Sequence, residues 1–122
     1  MDLLTVERDV MQVCLEVGAF IGVEGASFDR SRVIQKEGFN NLVSYVDKES
    51  EKKLVGALSK IIPGSGILGE EGTKLDSSNG YVWIVDPLDG TTNFTHGVPP
   101  FAISIGLTYH EKLVLGEVSG SI

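Results

Sequence analysis

Tyr81-Val82-Trp83-Ile84-Val85, followed at once by Asp86-Pro87-Leu88-Asp89-Gly90-Thr91-Thr92-Asn93-Phe94-Thr95-His96, is the stretch on which the reading of this chain turns. Its first five residues are β-branched or aromatic, the composition of a strand. Pro87 cannot donate to a sheet ladder, so the strand is predicted to stop there and hand the chain to a turn begun at Asp86. Asp first and Pro second suit a type I turn, which brings Asp89 back to within about 7 Å of Asp86 at the Cα atoms. Two carboxylates then face one small volume, with the Leu88 carbonyl between them and Gly90, Thr91, Thr92 and Asn93 just beyond. Hard oxygen ligands beside a helix start with outward-pointing amides suit a divalent cation that holds a phosphate oxygen.

Composition is compatible with that chemistry. A chain of 122 residues with 42% hydrophobic content is one domain, or part of one, able to bury about two-thirds of its unfolded surface. The net charge of -7 disfavours a nucleic-acid backbone or an anionic membrane as the main partner, while clustered acids attract cations. Cys14 is the single cysteine and reads as a small apolar residue on a helix; a reduced, cytoplasmic setting is expected. Asp2, Glu7, Arg8 and Asp9 stand where a signal peptide needs an apolar core, and no apolar run approaches the roughly 20 residues of a membrane span.

Along the chain, Leu3, Val6, Val10, Val13, Val17, Phe20 and Ile21, with Met11 and Cys14 beside them, repeat at the three-four spacing of an amphipathic helix. Val33 to Glu37 and Leu42 to Val46, separated by Gly38 and Asn40-Asn41, are predicted to form a hairpin-like excursion. A second helix is expected from about Asp47, which would cap it, through Leu54, Val55, Leu58, Ile61 and Ile62 to the stop Pro63-Gly64. Glu49 and Glu51 then fall in its first turn, where acids complement the dipole. Ile67-Leu68-Gly69 is a short strand ending in Glu70-Glu71-Gly72, and pairing with the central strand would set Glu70 about 5 Å from Asp86. Phe101, Ile103, Ile105 and Leu107 alternate with small residues, and Tyr109 to Lys112 connects them to Leu113 through Val118 as a hairpin. The expected architecture is an α/β layered domain, two long helices packed on a mostly antiparallel sheet, with no internal domain boundary.

Glu70-Glu71 with Asp86-Pro87-Leu88-Asp89-Gly90-Thr91-Thr92-Asn93-Phe94 and His96 resembles the first signature of the inositol monophosphatase family, D-P-(I/L/V)-D-G-T-x-N-F-x-H. Leu42-Val43-Ser44-Tyr45-Val46-Asp47 matches the segment L-V-(S/T)-x-x-D that the family carries earlier in the chain. The resemblance implies a sugar-phosphatase-like fold and a Mg²⁺-dependent, Li⁺-sensitive phosphomonoesterase that hydrolyses myo-inositol monophosphate. It implies that Glu70, Asp86 and the Leu88 carbonyl hold one Mg²⁺ and that Asp86 and Asp89 share a second. Thr91 with Asp47 would orient and help deprotonate the attacking water, Glu70 contributing to the catalytic centre, and Gly90 and Thr91 would offer amides to the phosphate.

Plainer roles suit several neighbours. Glu71 reads as a supporting or solvent-facing acid, His96 as a residue that holds the motif loop, and Lys36 and His110 as surface groups. An arbitrary Asp-Pro-x-Asp is a solvated turn, and the preceding strand with the following Gly-Thr-Thr-Asn-Phe is what favours a site instead. The family's later W-D-x-A-A-G segment, which supplies a further ligand and contacts to the inositol ring, has no counterpart among these residues. Residues 1–122 are therefore expected to be the N-terminal portion of such a domain, weakly active or inactive alone, prone to self-association or completed by a C-terminal half. The same metals with a bisphosphate nucleotide or sugar bisphosphate substrate form a second reading, and a non-catalytic metal-binding interaction module a third.

Overall fold

The computed structural model describes residues 2–26, 36–89 and 102–120, the side chains of 25, 26, 36–43, 88, 89 and 117–120 excepted. The first helix, α1 (Leu3–Ala26), buries Val6, Val10, Val13, Cys14, Val17 and Ile21 along one stripe. Leu3 and Met11 fall off that stripe and are exposed. Asp2 caps the helix: its carboxylate accepts hydrogen bonds from the Leu4 amide (3.1 Å) and the Thr5 hydroxyl (2.8 Å). The Thr5 hydroxyl, and then the Leu4 amide, hold the Asp2 carboxyl below its usual range.

The second helix, α2 (Lys36–Ile61), is longer than the sequence suggests. The predicted hairpin excursion is replaced: Lys36, Glu37, Gly38, Asn40, Asn41 and the whole Leu42 to Val46 run are helical, while Val33, Ile34 and Gln35 lie outside the described residues. Val46, Ser50, Leu54, Leu58 and Ile62 recur every four residues and are all buried, so a helix extended N-terminally of Asp47 places Val46 in the core along with them. Asp47 is consequently an interior helix residue and not its cap, and Glu49 and Glu51 are not in its first turn. Pro63-Gly64 ends the helix as expected, Gly64 adopting φ 86°, a left-handed conformation that favours glycine.

The strands are β1 (Gly66–Gly69), β2 (Lys74–Leu75), β3 (Tyr81–Asp89), β4 (Ala102–Tyr109) and β5 (Lys112–Gly120), in the sheet order β2-β1-β3-β4-β5. β1 and β3 are parallel and the other neighbours antiparallel, so the sheet is mixed. Both helices cover one face. Ile67, Trp83, Val85, Ile103, Ile105 and Leu107 point into that core, and the alternation in β3 and β4 turns Ile84, Ser104 and Gly106 to the other face. Trp83 is fully buried and donates its indole N–H to the Ser65 hydroxyl (3.1 Å), which in turn donates to the Ile62 carbonyl (2.7 Å). The polar atom of the largest core side chain is thereby satisfied.

Two strand boundaries differ from expectation. β3 does not stop at Pro87 but continues to Asp89, with a register shift in its pairing to β4 between Asp86 (opposite Ser104) and Asp89 (opposite Ala102). β1 ends at Gly69, opposite Val85, so at Pro87 the central strand has lost its β1 neighbour, and a bulge accommodates a residue without an N–H. The β4–β5 connection is also tighter than the four residues expected. His110 and Glu111 alone make the turn, with φ 48° and 70°, the doubly left-handed pattern of a type I′ turn that matches strand twist.

Candidate active site

The site begins with the turn between β1 and β2. The Gly69 amide donates to the Thr73 carbonyl (2.9 Å) and the Gly72 amide back to the Gly69 carbonyl (3.2 Å), with Gly72 at φ 102°. This is a three-residue hairpin loop whose last residue must be left-handed, a position that suits glycine. Glu70 and Glu71 occupy the middle of the turn and are exposed at its tip. The Glu70 amide donates to the Val85 carbonyl (3.3 Å), which ties the turn to β3. Because Gly69 lies opposite Val85 in the parallel pair, the residues that follow, Glu70 and Asp86, emerge side by side at the same end of the sheet.

α2 brings two more carboxylates to that end. Asp47 is half-buried, and its carboxyl is raised to about 6, first by burial and then by the negative charges of Glu71, Asp86, Glu70 and Glu51. Five acids from three elements therefore act on one region. Glu51, one helical turn after Asp47, is buried, and its carboxylate accepts hydrogen bonds from the Glu71 amide (3.0 Å), the Thr73 amide (3.3 Å) and the Thr73 hydroxyl (2.7 Å). A Cβ at Gly69 would collide with that carboxylate and push it from its present position. Beyond the acids, Glu70 and Asp86 also border a hollow of about 410 Å³ on the uncovered face of the sheet, lined by Ile84, Ser104, Gly106 and Leu113.

Of the residues singled out from the sequence, Glu70, Asp86 and Asp47 are brought into one neighbourhood. Leu88 and Asp89 continue β3, but their side chains lie outside the described residues, as do Gly90, Thr91, Asn93 and His96 altogether. Lys36 opens α2, its side chain outside the description, and His110 is exposed in its turn. Glu51 was missed as a site residue. Its signal was present: Asp47, Ser50, Glu51 and Leu54 share the three-four spacing of the buried stripe, which is unusual for an acid.

Among the described residues no three His, Cys, Asp or Glu side chains stand in a geometry that would hold a metal ion. The donor chemistry nevertheless fits a hard divalent cation. Glu70 and Asp86 bring carboxylate oxygens side by side at one end of the sheet, the hard donors such a cation prefers. No helix among the described residues is long and apolar enough to cross a membrane.

The model of the inositol monophosphatase family matches residues 5–120. The phosphatase IMPL1, chloroplastic, of Arabidopsis thaliana is 41% identical over 102 residues, covering 83% of this chain and 27% of that protein. The fructose-1,6-bisphosphatase/inositol-1-monophosphatase of Aquifex aeolicus is 34% identical over 110 residues, covering 90% of this chain and 42% of its own. Among solved structures, the extragenic suppressor protein suhB from Bartonella henselae superposes with a TM-score of 0.78 at 33% identity, over 93% of this chain and 43% of that one. The chain thus spans less than half the length of each of these relatives. With a match along nearly its whole length and the same arrangement of helices on a mixed sheet, the chain belongs to the inositol monophosphatase family.

Proposed function

We propose that the chain carries the metal-binding half of a phosphomonoesterase that takes a small phosphorylated polyol, myo-inositol monophosphate first. The observation that carries this reading is the parallel β1–β3 register, which sets Glu70 beside Asp86 within reach of the Asp47 charge. Glu70, Asp86, the Leu88 carbonyl and Asp89 would hold Mg²⁺, which supplies a polarised phosphoryl oxygen and an acidified water. Asp47, with Thr91, would orient the attacking water and accept its proton. The amides of Gly90 and Thr91 would cradle the phosphate. A reduced, cytoplasmic setting and Li⁺ sensitivity belong to the same proposal.

One observation favours a second substrate. The Aquifex aeolicus relative bears a double name that includes fructose-1,6-bisphosphatase, so a sugar bisphosphate is the alternative. The deciding experiment titrates Mg²⁺ into the purified 122-residue chain by calorimetry, with and without inorganic phosphate, and then measures phosphate release from myo-inositol 1-phosphate and fructose 1,6-bisphosphate. Mg²⁺ uptake strengthened by phosphate is expected, with turnover far below that of a complete family enzyme. Tight Ca²⁺ uptake indifferent to phosphate would instead indicate a non-catalytic binding module, and absence of any divalent uptake would overturn the reading.

A further inference from the structure

We infer that Glu51 is a positioning residue: through the Glu71 and Thr73 donors that its buried carboxylate holds, it fixes the turn that sets Glu70 beside Asp86 for a divalent cation. This rests on the reading of Glu70 and Asp86 as cation ligands. Glu70 sits at the exposed tip of a three-residue loop that backbone hydrogen bonds close at Gly69, Gly72 and Thr73 and tie to β3 at Val85, and Glu51 adds a side-chain anchor from α2. Glu51 reaches over from α2, accepts from the backbone on one side of the tip at Glu71, and accepts from both the backbone and the hydroxyl of Thr73 on the other. A carboxylate suits this place because it accepts on both oxygens and donates on neither, whereas three donors converge on it.

The carboxylate lies so close to Gly69 that a Cβ there would have to displace it from its donors. Glu51 is 2% exposed, and an acid is rarely buried to that degree without a partner that repays its desolvation. Here the partners are the loop itself. Asp47 lies one turn earlier on the same helix, so the helix that anchors the turn through Glu51 also carries Asp47.

The test compares wild type with Glu51→Gln and Thr73→Val in the 122-residue chain, using Mn²⁺ calorimetry and amide hydrogen exchange at Glu71 and Thr73. Gln keeps the shape but turns an NH₂ group toward one of the donors; Val removes only the hydroxyl. Glu51→Gln is expected to speed exchange at both amides and to weaken Mn²⁺ binding about tenfold, the lower end of what residues supporting metal ligands cost. Thr73→Val is expected to weaken it about threefold, since one of three hydrogen bonds is lost. Lower thermal stability in Glu51→Gln with unchanged Mn²⁺ affinity would overturn the positioning role and leave the cation reading standing. No Mn²⁺ uptake by wild type would overturn the cation reading itself. Should Glu51→Gln fail to fold, Thr73→Val decides: Mn²⁺ affinity equal to wild type overturns the inference.

Discussion

Asp47 works against folding in the absence of a cation. Its carboxyl is raised from 3.8 to about 6, so below about pH 4 it is protonated in both folded and unfolded chains and costs nothing. As pH rises from about 4 to about 6 the unfolded chain ionises first, and folded stability falls; above that window the penalty is complete. Solvent around a half-exposed group reduces the penalty to on the order of 1 kcal/mol. Asp47→Asn is therefore expected to raise the urea midpoint at pH 7.5 without divalent cations and to leave it unchanged at pH 3.5. A cation that neutralises the cluster should erase the difference. Ser50, the next buried polar residue on the same helix, is a different case: its hydroxyl has no hydrogen-bond partner among the described residues. Ser50→Ala removes that buried group and improves helix propensity, and a gain of up to about 1 kcal/mol in urea unfolding is expected. A loss of that size would show that the hydroxyl has a partner in solution.

The elements differ in how openly their residues announce them. α1 and the β4–β5 pair were legible because each repeats a short period over many residues, three-four in the helix and two in the strand. α2 was only half legible. Gly38 and Asn40-Asn41 favour turns in isolation, yet the benefit of burying Val46 in line with Leu54 and Leu58 extends the helix through them. The same override acts at Pro87, where loss of the β1 neighbour and a bulge let the strand run on. The hairpin turn shows a local preference violated outright: two residues with side chains, His110 and Glu111, occupy left-handed conformations. Glu111 is exposed, so Glu111→Gly relieves that strain at some cost in unfolded-chain entropy. A net gain of about 0.5–1 kcal/mol is expected, read as a rise in melting temperature with unchanged m-value.

At the level of the whole molecule, both helices cover one face of the sheet, and among the described residues no element covers the other. Leu68 (45% exposed), Ile84 (49%) and Leu113 (70%) stand on or around that uncovered face, and Leu113 approaches Gly106, where a Cβ would lie 3.4 Å from its methyl. Apolar surface of this kind drives association. The 122-residue chain is expected to self-associate at micromolar concentration in sedimentation velocity, and Leu113→Lys to shift it toward the monomer with unchanged circular dichroism. Persistence of the same oligomer in that variant would place the contact elsewhere. The acids at the sheet end lie next to this face, so the charge that serves the site also limits how closely another apolar surface can pack there.

The apolar stripe of α1, that of α2 from Leu54 onward, the strands β1, β3, β4 and β5, and the acidic motif that closes β3 could be read from the sequence, because each is written in residues that are neighbours along the chain. Packing was needed to reveal that β1 joins β3 in parallel, that Asp47 lies in the middle of a helix, and that Glu51 turns inward to grip the loop carrying Glu70. Those features depend on energies exchanged between segments distant in sequence: a register set by two strands, a carboxylate desolvated only where another loop supplies its donors. Local propensity contains neither term, and a site assembled from three elements exists only once they have packed.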